Sequence, residues 1–435
     1  MIVNYVDSPP SCFDAGLDHT RNLPDECLSS IFTFLRGGDR NCCSLVCRRW
    51  LLVEGQSRHR LSLIAVADLC FSVPSLLSRF TAITTLTLKC DHNVSIGDDA
   101  LSLISLHCLN LTSLSLRNCR EITELGMAAL AQNCASLKKL SCHSCSFGAK
   151  AMNTVLSSCA LEKFSAKRLQ GIDSGIDAEP IRPGVAASSL KKICLKGILN
   201  GQCFRPLIIG SKKLKLLKLL WCFGDWDGLL KSISDRSSMV EIHLKWIRVS
   251  NIGLAAISNY SNLEKLHIAR AKGLENQIDD RGLVAIGERC KKLRELIVVG
   301  ANPTCLSLKL IATNCCDLEK VALCMSETVG DEELQCIAAE CRALKKLCIK
   351  DCPVSNHGLE AIVNGCPSLV KLKVSWCRNV TSEVADVLRA KRGSLAFVLD
   401  AVEAEDEDSS SCDESDDIYP VPMATRLVEI PGGED

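Results

Sequence analysis

The chain has 435 residues, of which 47% are hydrophobic and 4% aromatic, and its 51 basic and 51 acidic side chains cancel at neutral pH. This apolar content is ample for a large core, and the scarcity of aromatics indicates that Leu, Ile and Cys fill it. No run of about 18 residues is continuously apolar and residues 1–12 lack the pattern of a secretory signal, so we expect the protein in the nucleus and/or the cytoplasm.

Residues 1–19 are predicted to be disordered, and residues 20–60 show the spacing of a small all-α unit. Its first helix is expected to open at Leu23-Pro24, because a proline in the first turn loses no hydrogen bond. Helical spacing predicts one apolar face on this helix, formed by Leu28, Ile31, Phe32 and Leu35. Gly37-Gly38 is expected to end the helix and Asp39 to cap a second one. The second helix is predicted to turn four side chains inward: Cys43, Val46, Cys47 and Trp50.

This unit resembles an F-box in its Leu-Pro start, its apolar spacing and its Cys43-Ser44-Leu45-Val46-Cys47-Arg48-x-Trp50 stretch. F-boxes dock on a Skp-type adaptor, which joins a cullin and a RING subunit. The resemblance implies adaptor contacts at the matching positions, which are Leu23, Pro24, Leu28, Ile31, Leu35, Leu45, Val46 and Trp50. The alternative is a generic helical cap on the repeats that follow.

From Leu61 onward a Leu-x-x-Leu-x-Leu pattern recurs, each time followed by residues at helical spacing. Its middle apolar residue, here called the anchor, returns every 24 to 30 residues, which is the period of leucine-rich repeats. The anchors are Leu61, Leu86, Leu114, Leu140, Phe164, Ile193, Leu217, Ile242, Leu266, Leu296, Val321, Leu347, Leu372 and Val398. One strand and one helix cannot bury their own apolar faces, so the units must stack. Residues 61–400 are therefore predicted to form an α/β horseshoe solenoid, with parallel strands on the concave side and helices on the convex side.

Two intervals and a set of glycines vary this pattern. The residues between Gly171 and Ser189 lack helical spacing and hold two prolines, which predicts an exposed loop. The interval from Leu266 to Leu296 is the longest, at 30 residues. Glycines are expected to precede several helices, at Gly126, Gly253, Gly282 and Gly358.

The cysteines keep the register of the repeats, which identifies the cysteine-containing subtype by resemblance. One set lies six residues before an anchor: Cys108, Cys134, Cys290, Cys315, Cys341 and Cys366. Another lies five residues after it: Cys119, Cys145, Cys222, Cys352 and Cys377. Small apolar sulfur suits such tight turns, and reducing compartments disfavour disulfides. Cys142 and Cys145 have the spacing of a zinc or redox pair, but a structural role is favoured, and no metal or other cofactor is predicted.

The stretch from Asn22 to Asp400 further resembles the plant VIER F-box type of F-box/leucine-rich-repeat protein. Three segments carry this closer likeness: Asp39 to Trp50, Gly55 to Leu61 and Gly224-Asp225-Trp226-Asp227. Against that pattern the chain is one repeat short near residues 269–280.

Strand residues one before, one after and three after an anchor are predicted to face the concave groove. In the twelve repeats from Leu86 to Leu372, fifteen of these 36 positions hold Lys or Arg and two hold an acid. We predict a substrate-binding surface formed by Lys139, Lys163, Lys167, Lys192, Lys196, Lys245, Lys265, Trp221 and Trp246. The two tryptophans, like Trp376, lie four residues after an anchor, where they form either a binding rim or packing between repeats. Lysines that only keep an open sheet soluble are the alternative for the basic positions.

Taken together, the resemblances imply the substrate-recognition subunit of an SCF-type (Skp–cullin–F-box) E3 ubiquitin ligase. No catalytic residue set is predicted, and no phosphate loop or zinc-protease motif occurs in the sequence. Nucleic-acid binding is a rival because the groove is basic, although the strands offer few stacking aromatics. Binding of an anionic small molecule by a hormone co-receptor is another, and His243 with His267 is a weak candidate metal pair. The expected partners are a Skp-type adaptor, its cullin–RING core and an acidic substrate protein, with no membrane.

Residues 401–435 are predicted to form an acidic, disordered tail. Residues 403–435 hold 12 of the acids and one base, which leaves a net charge of +11 on residues 1–402. Residues 403–417 contain nine acids and four serines, too few apolar side chains to fold. The tail is expected either to aid solubility or to compete with an acidic substrate for the basic groove.

Overall fold

The computed structural model describes residues 19–65, 69–91, 94–172, 179–235, 238–269 and 278–400. Three short helices at the N-terminal end precede a solenoid in which one strand and one helical segment alternate. The predicted horseshoe of parallel strands and outer helices is confirmed. The predicted disordered tail at residues 401–435, and all but the last residue of the predicted disordered segment at 1–19, lie outside the described residues.

Fourteen five-residue strands form a single parallel sheet whose strand order follows the chain. The strands are β1 Arg60–Ile64, β2 Thr85–Lys89, β3 Ser113–Arg117, β4 Lys139–His143, β5 Lys163–Lys167, β6 Lys192–Lys196, β7 Leu216–Leu220, β8 Glu241–Lys245, β9 Lys265–Ala269, β10 Glu295–Val299, β11 Lys320–Cys324, β12 Lys346–Lys350, β13 Lys371–Ser375 and β14 Ala396–Asp400. The anchors pair in register from strand to strand, as Leu114 does with Leu140. From β2 to β13 each anchor is followed two residues later by a second inward apolar side chain, so one continuous core runs through the solenoid.

The helices of consecutive repeats pack side by side on the convex face. The helices are α1 Asp25–Thr33, α2 Gly37–Cys43, α3 Arg48–Gln56, α4 Leu69–Arg79, α5 Asp98–His107, α6 Glu124–Asn133, α7 Ala149–Ser158, α8 Arg205–Gly210, α9 Trp226–Ser232, α10 Asn251–Ile257, α11 Asp280–Arg289, α12 Cys305–Asn314, α13 Asp331–Glu340, α14 Asn356–Gly365 and α15 Val384–Lys391. The longest described helix has 11 residues, and none of the helices in the described part of the chain is long and apolar enough to cross a membrane.

The N-terminal turns of neighbouring helices are joined by hydrogen bonds between repeats. The Asp331 carboxylate accepts one hydrogen bond from the backbone N–H of Ser355 at 2.8 Å and one from its hydroxyl at 2.5 Å. Ser355 in turn caps α14, because its Oγ accepts from the N–H of His357. Asp98 with Thr123, and Asp280 with Thr304, repeat this arrangement.

The same contacts explain the periodic glycines, which lie inside the first helical turn and not before the helix as predicted. A Cβ added to Gly358 would lie 2.4 Å from Oδ1 of Asp331, and one added to Gly126 would lie 2.4 Å from Oδ1 of Asp98. Only glycine leaves room for the carboxylate that links the two repeats.

Three further sequence predictions are corrected by the structure. The last anchor is Phe397, which pairs with Leu372, and not Val398. Gly37-Gly38 begins α2 instead of ending α1, so Asp39 lies in its first turn and the N-cap is Arg36. The segment predicted as an exposed loop between Gly171 and Ser189 contributes the buried Ile181 and a 3-10 turn over Val185–Ser188, although residues 173–178 lie outside the described residues.

Candidate binding surfaces

The three N-terminal helices enclose a small core of their own. Leu28, Phe32 and Val53 are buried at its centre. Leu35, Cys43 and Trp50 pack against them, and the rings of Phe32 and Trp50 meet edge to face with centroids 5.3 Å apart. The module therefore folds around its own side chains and not only as an extension of the repeats.

Of the residues predicted to contact an adaptor, some pack in this core and others are exposed. Leu28 is buried, so it is corrected to a structural residue. Leu35 and Trp50 pack against the core but remain half-buried, and their contact with an adaptor stays a prediction. Ile31, Leu45 and Val46 are exposed, as is Pro24, whereas Leu23 is half-buried. The predicted inner faces are corrected accordingly, because Ile31, Val46 and Cys47 face outward.

Two large exposed side chains of the module were missed by the sequence analysis. Phe34 is 88% exposed just beyond the end of α1, and Leu52 is exposed on α3. With Ile31, Val46 and the 84% exposed Leu45, they give this module five exposed large apolar side chains. The three-residue spacing of Ile31 and Phe34, one turn apart on the outer side of α1, was the available signal.

The Leu-Pro start of the module is fastened to α3 by one arginine. The guanidinium of Arg49 donates to the backbone oxygens of Leu23 and Thr20 and, at 2.8 Å, to the carboxylate of Asp25. The segment preceding α1 is thereby held against α3, which fixes the position of Pro24 at the surface.

A buried carboxylate connects the module to the first repeat. Glu54 is fully buried and accepts hydrogen bonds from Arg40 at 3.0 Å, Arg58 at 2.6 Å and Arg79 at 2.9 Å. Arg40 lies on α2 and Arg79 on α4, so the cluster joins two helices of the module to the helix of the first repeat. Close packing accompanies it, because a Cβ on Gly55 would lie 2.8 Å from the backbone oxygen of Arg79. Charge and packing together orient the module on the solenoid.

On the concave face, strands β3 to β6 carry cations without acids. Lys139, Lys163 and Lys192 are in-register neighbours on β4, β5 and β6, and within the described residues no ion pair joins them to an acid. A second row, four residues along the strands, consists of Arg117, His143, Lys167 and Lys196. We call these two rows the cationic patch. Lys167 is only 8% exposed, so of the predicted contacts it is the least accessible.

The electrostatic character of the patch is seen at His143. Burial, followed by the charges of Lys167, Arg168 and Arg117, lowers the pKa of His143 to about 4. The histidine is therefore neutral at pH 7, and the positive charge of this surface comes from its lysines and arginines.

From β7 to β11 several cations are paired with the two acids of the concave face. Lys218 lies 3.5 Å from Glu241, and Lys265 and Lys320 lie 3.9 and 3.0 Å from Glu295. Of the predicted binding lysines, Lys265 is thus partly neutralised, and Lys245 lies next to this paired region on β8. The predicted basic groove therefore consists of strands without acids at β3 to β6, a paired region, and two further lysine-bearing strands without acids, β12 and β13.

His243 and His267 belong to the same paired region. Their rings are in contact at a tilt of 40°, with centroids 3.8 Å apart, and their Nε2 atoms lie 2.6 and 3.0 Å from Glu241 and Glu295. Burial lowers the pKa of His243 to about 4, against the opposing effect of Glu241. Among the described residues no group of three or more His, Cys, Asp or Glu has the arrangement of a metal site.

The tryptophans Trp221 and Trp246 lie where β7 and β8 end, at the rim of the groove. Their rings stack with centroids 4.8 Å apart and an interplanar angle of 17°. Trp221 nevertheless remains 42% exposed, and Trp246 is half-buried. Trp376 is exposed at the equivalent position, with Nζ of Lys350 5.8 Å from its ring centroid. The structure therefore shows packing between repeats and an accessible aromatic surface at once.

The cysteines of the zinc-like spacing are core residues. Cys142 and Cys145 are both buried, and Sγ of Cys145 lies 3.5 Å from the backbone oxygen of His143. Burial raises the pKa of Cys142 well above its ordinary value. The Cys142 thiol therefore stays protonated at pH 7, which suits packing.

A helical module with its own core, docked on a one-strand, one-helix solenoid, defines the class: a leucine-rich-repeat protein with an N-terminal helical module. Comparison of the sequence with family models agrees, because residues 20–53 match the F-box-like family and residues 107–131 match the Leucine Rich repeat family. The chain thus combines an F-box-like domain with leucine-rich repeats.

Similar curated proteins come from plants. The chain is 24% identical over 425 residues to the F-box protein FBX14 of Arabidopsis thaliana, covering 87% of this chain and 63% of that protein. It is also 24% identical over 402 residues to a transport inhibitor response 1-like protein of Oryza sativa subsp. japonica, with 83% and 66% covered. The chain thus spans slightly less than two thirds of the length of these relatives. Neither is specifically of the VIER type, so that closer likeness stays a prediction.

Among solved structures, an internalin (inlF) of Listeria monocytogenes shares the repeat architecture. The two superpose with a TM-score of 0.52 at 14% identity, over 78% of this chain and 96% of the internalin. This likeness concerns the fold alone.

Proposed function

We propose that this chain is the substrate-recognition subunit of an SCF-type E3 ubiquitin ligase. The F-box-like module binds a Skp-type adaptor and through it a cullin–RING core. The repeats capture a target protein for ubiquitination and proteasomal degradation, and the chain itself performs no catalysis. The matches to the F-box-like family and to plant F-box proteins support this proposal.

One observation carries the adaptor half of the proposal. Five large apolar side chains of a module of about 35 residues are exposed, although its core is complete without them. Exposed apolar surface of this kind marks protein-binding sites. A partner that covers Phe34, Leu45 and Val46 accounts for it.

Intracellular reducing compartments, the nucleus or the cytoplasm, are the proposed location. The described cysteines are free thiols, many of them buried in the solenoid core. Such a core is compatible with an environment that keeps thiols reduced.

The test is co-expression of the full chain with a plant Skp-type adaptor, followed by affinity capture of the chain. We expect the adaptor to co-purify with the native chain and to be lost from the L45D/V46D double variant. Both side chains are exposed, so the substitutions add charge at the surface and leave the module core intact.

Leu125→Asp provides the matched control, because Leu125 is equally exposed but lies on α6, far along the chain from the module. It should retain the adaptor. Absence of adaptor from the native chain, or retention by L45D/V46D, would contradict the proposal.

A further inference from the structure

Three tryptophans occupy a backbone conformation that suits glycine far better. Trp221, Trp246 and Trp376 have φ values of 54°, 54° and 61°. The same position, four residues after an anchor, is held by Gly197 and Gly300 in other repeats. Asn118, Arg168 and Met325 share this conformation in further repeats, so it is a regular feature of the turn after the strand. The tryptophans are distinguished by the large aromatic side chains that they place at the surface there.

Two of these tryptophans belong to a larger apolar surface. Phe223 and Leu199 are exposed on neighbouring turns, which are joined by the hydrogen bond from the N–H of Phe223 to the oxygen of Ile198 at 3.2 Å. We call Leu199, Trp221, Phe223 and Trp246 the aromatic rim. The rim therefore offers four large apolar side chains at one edge of the groove, over three consecutive repeats.

The aromatic rim directly adjoins the cationic patch. Lys196 of the patch pairs in register with Leu220, the residue before Trp221. Leu220 pairs in turn with Lys245, the residue before Trp246. On β7 the outward positions at both ends of the strand are leucines, Leu216 and Leu220. The groove thus changes from the cations of β4 to β6 to a mixture of leucines and paired charges on β7 and β8, with the aromatic rim at the end of these two strands.

We propose that this part of the groove recognises a short extended segment of a substrate protein, in which a run of acidic residues adjoins a large apolar side chain. The acidic run lies over Lys139, Lys163 and Lys192, and the apolar side chain packs on Trp221 and Trp246. Charge complementarity determines the contact between the acidic run and the lysines. The aromatic surface of the tryptophans determines the contact with the apolar side chain. This inference deepens the proposed function, on which it rests for the fate of the captured protein.

The dimensions of the groove set the length of the segment. Adjacent strands lie about 4.8 Å apart, so β4 and β8 are about 19 Å apart, and the lysine row and the tryptophans lie about 17 Å apart along the strands. An extended chain advances about 3.3 Å per residue. The diagonal of about 25 Å therefore takes about eight residues from the first lysine to the aromatic rim, with the acids at one end and the apolar residue at the other.

The experiment measures binding of a fluorescein-labelled peptide, five glutamates followed by leucine and phenylalanine, to the full chain by fluorescence anisotropy. Replacing the two apolar residues of the peptide by alanine should weaken binding at least about tenfold. The W221G/W246G variant should show a similar loss. K163E/K192E should lose at least about tenfold at low salt, and the loss should shrink at about 0.5 M salt, because screening weakens exposed charges.

Trp376→Gly is the matched control, since it removes an exposed tryptophan from the same backbone conformation five repeats beyond the rim. It should bind the peptide as the native chain does. The thermal midpoint of W221G/W246G should stay close to that of the native chain, because glycine adopts the left-handed conformation without strain, which offsets the loss of stacking between the two rings.

Four results would overturn the inference: no peptide binding, equal binding of the alanine peptide, an equal loss in Trp376→Gly, or binding of a ten-nucleotide oligothymidine as tight as that of the peptide. The last would assign the groove to nucleic acid. Co-purification with the adaptor is measured on the same variants and should not change. Loss of adaptor binding by the native chain refutes the ligase proposal alone, whereas loss of peptide recognition refutes this inference alone.

Discussion

The position four residues after the anchor shows how one backbone site serves different ends along the solenoid. Asn118, Ser144, Arg168, Met325 and Asp351 adopt the left-handed conformation there, with φ between 47° and 57°. The conformation therefore belongs to the turn after the strand, whichever residue occupies it. The tryptophans differ from these residues in the large aromatic surface that they place at the rim.

The neighbouring histidines His243 and His267 give stability a pH dependence at the residue scale. Burial lowers the pKa of His243 from 6.5 to about 4, and that of His267 is also lowered. Between those values the unfolded chain binds more protons than the folded chain, so stability increases with pH. The stability that comes from keeping His243 neutral is fully present above about pH 6.5, and it is lost as the pH falls towards 4. Lys218 and the neighbouring histidine strengthen this effect and Glu241 opposes it.

We therefore expect the free energy of unfolding to fall between pH 7 and pH 5, as measured by urea denaturation. In His243→Gln the slope should be smaller, by up to about 1.4 kcal/mol per pH unit. The pKa of Glu241, about 2, makes no difference in this interval. A native chain more stable at pH 5 than at pH 7 would contradict the assignment.

At the scale of elements, the hydrogen bonds between helix N-termini explain how successive repeats keep their register. Asp331→Ala removes two acceptor contacts to Ser355 and leaves its backbone N–H without that partner. We expect a loss of about 1–3 kcal/mol in the free energy of unfolding. Asp386→Ala is the control, since Asp386 is highly exposed and paired only with Arg389 on its own helix. Equal effects of the two substitutions would show that the link between repeats adds no stability.

The Glu54 cluster predicts that the junction between module and solenoid depends on one carboxylate. Glu54→Gln removes the negative charge that three buried or half-buried arginines share, and such a change costs about 3–5 kcal/mol. Limited proteolysis should then cut near residues 57–60, where the native chain resists. Glu26→Gln, at an exposed site on α1, should leave the cleavage pattern unchanged.

The repeats could be predicted from sequence because each strand alternates inward leucines with outward polar residues. Where neighbouring strand residues are all apolar, the alternation no longer shows which of them face the core. Leu395, Phe397 and Leu399 surround Val398, and choosing the wrong member shifted the last anchor by one residue. On α1 the neighbours Ile31 and Phe32 are both apolar, so spacing alone could not tell which belongs to the core. The left-handed conformation of the tryptophans left no trace in the sequence.

At the scale of the whole molecule, charge is divided between a basic body and an acidic C-terminal segment. Deletion of residues 403–435 removes 12 acids and one base. If this segment competes for the cationic patch, the truncated chain should bind the glutamate-rich peptide more tightly at low salt, with the gain fading as salt rises. Unchanged affinity at low salt would leave the segment a role in solubility only.

The strictly sequential strand order has a consequence for how the protein is made. Each described strand is hydrogen-bonded only to the strands before and after it in the chain. No strand therefore needs a partner that is distant in the sequence. During synthesis the chain emerges at roughly 5–20 residues per second, which delivers one repeat every few seconds. Each newly emerged repeat can dock on the edge left by its predecessor. The horseshoe can therefore be assembled on the ribosome from its N-terminal end, with the module and its Glu54 cluster as the foundation.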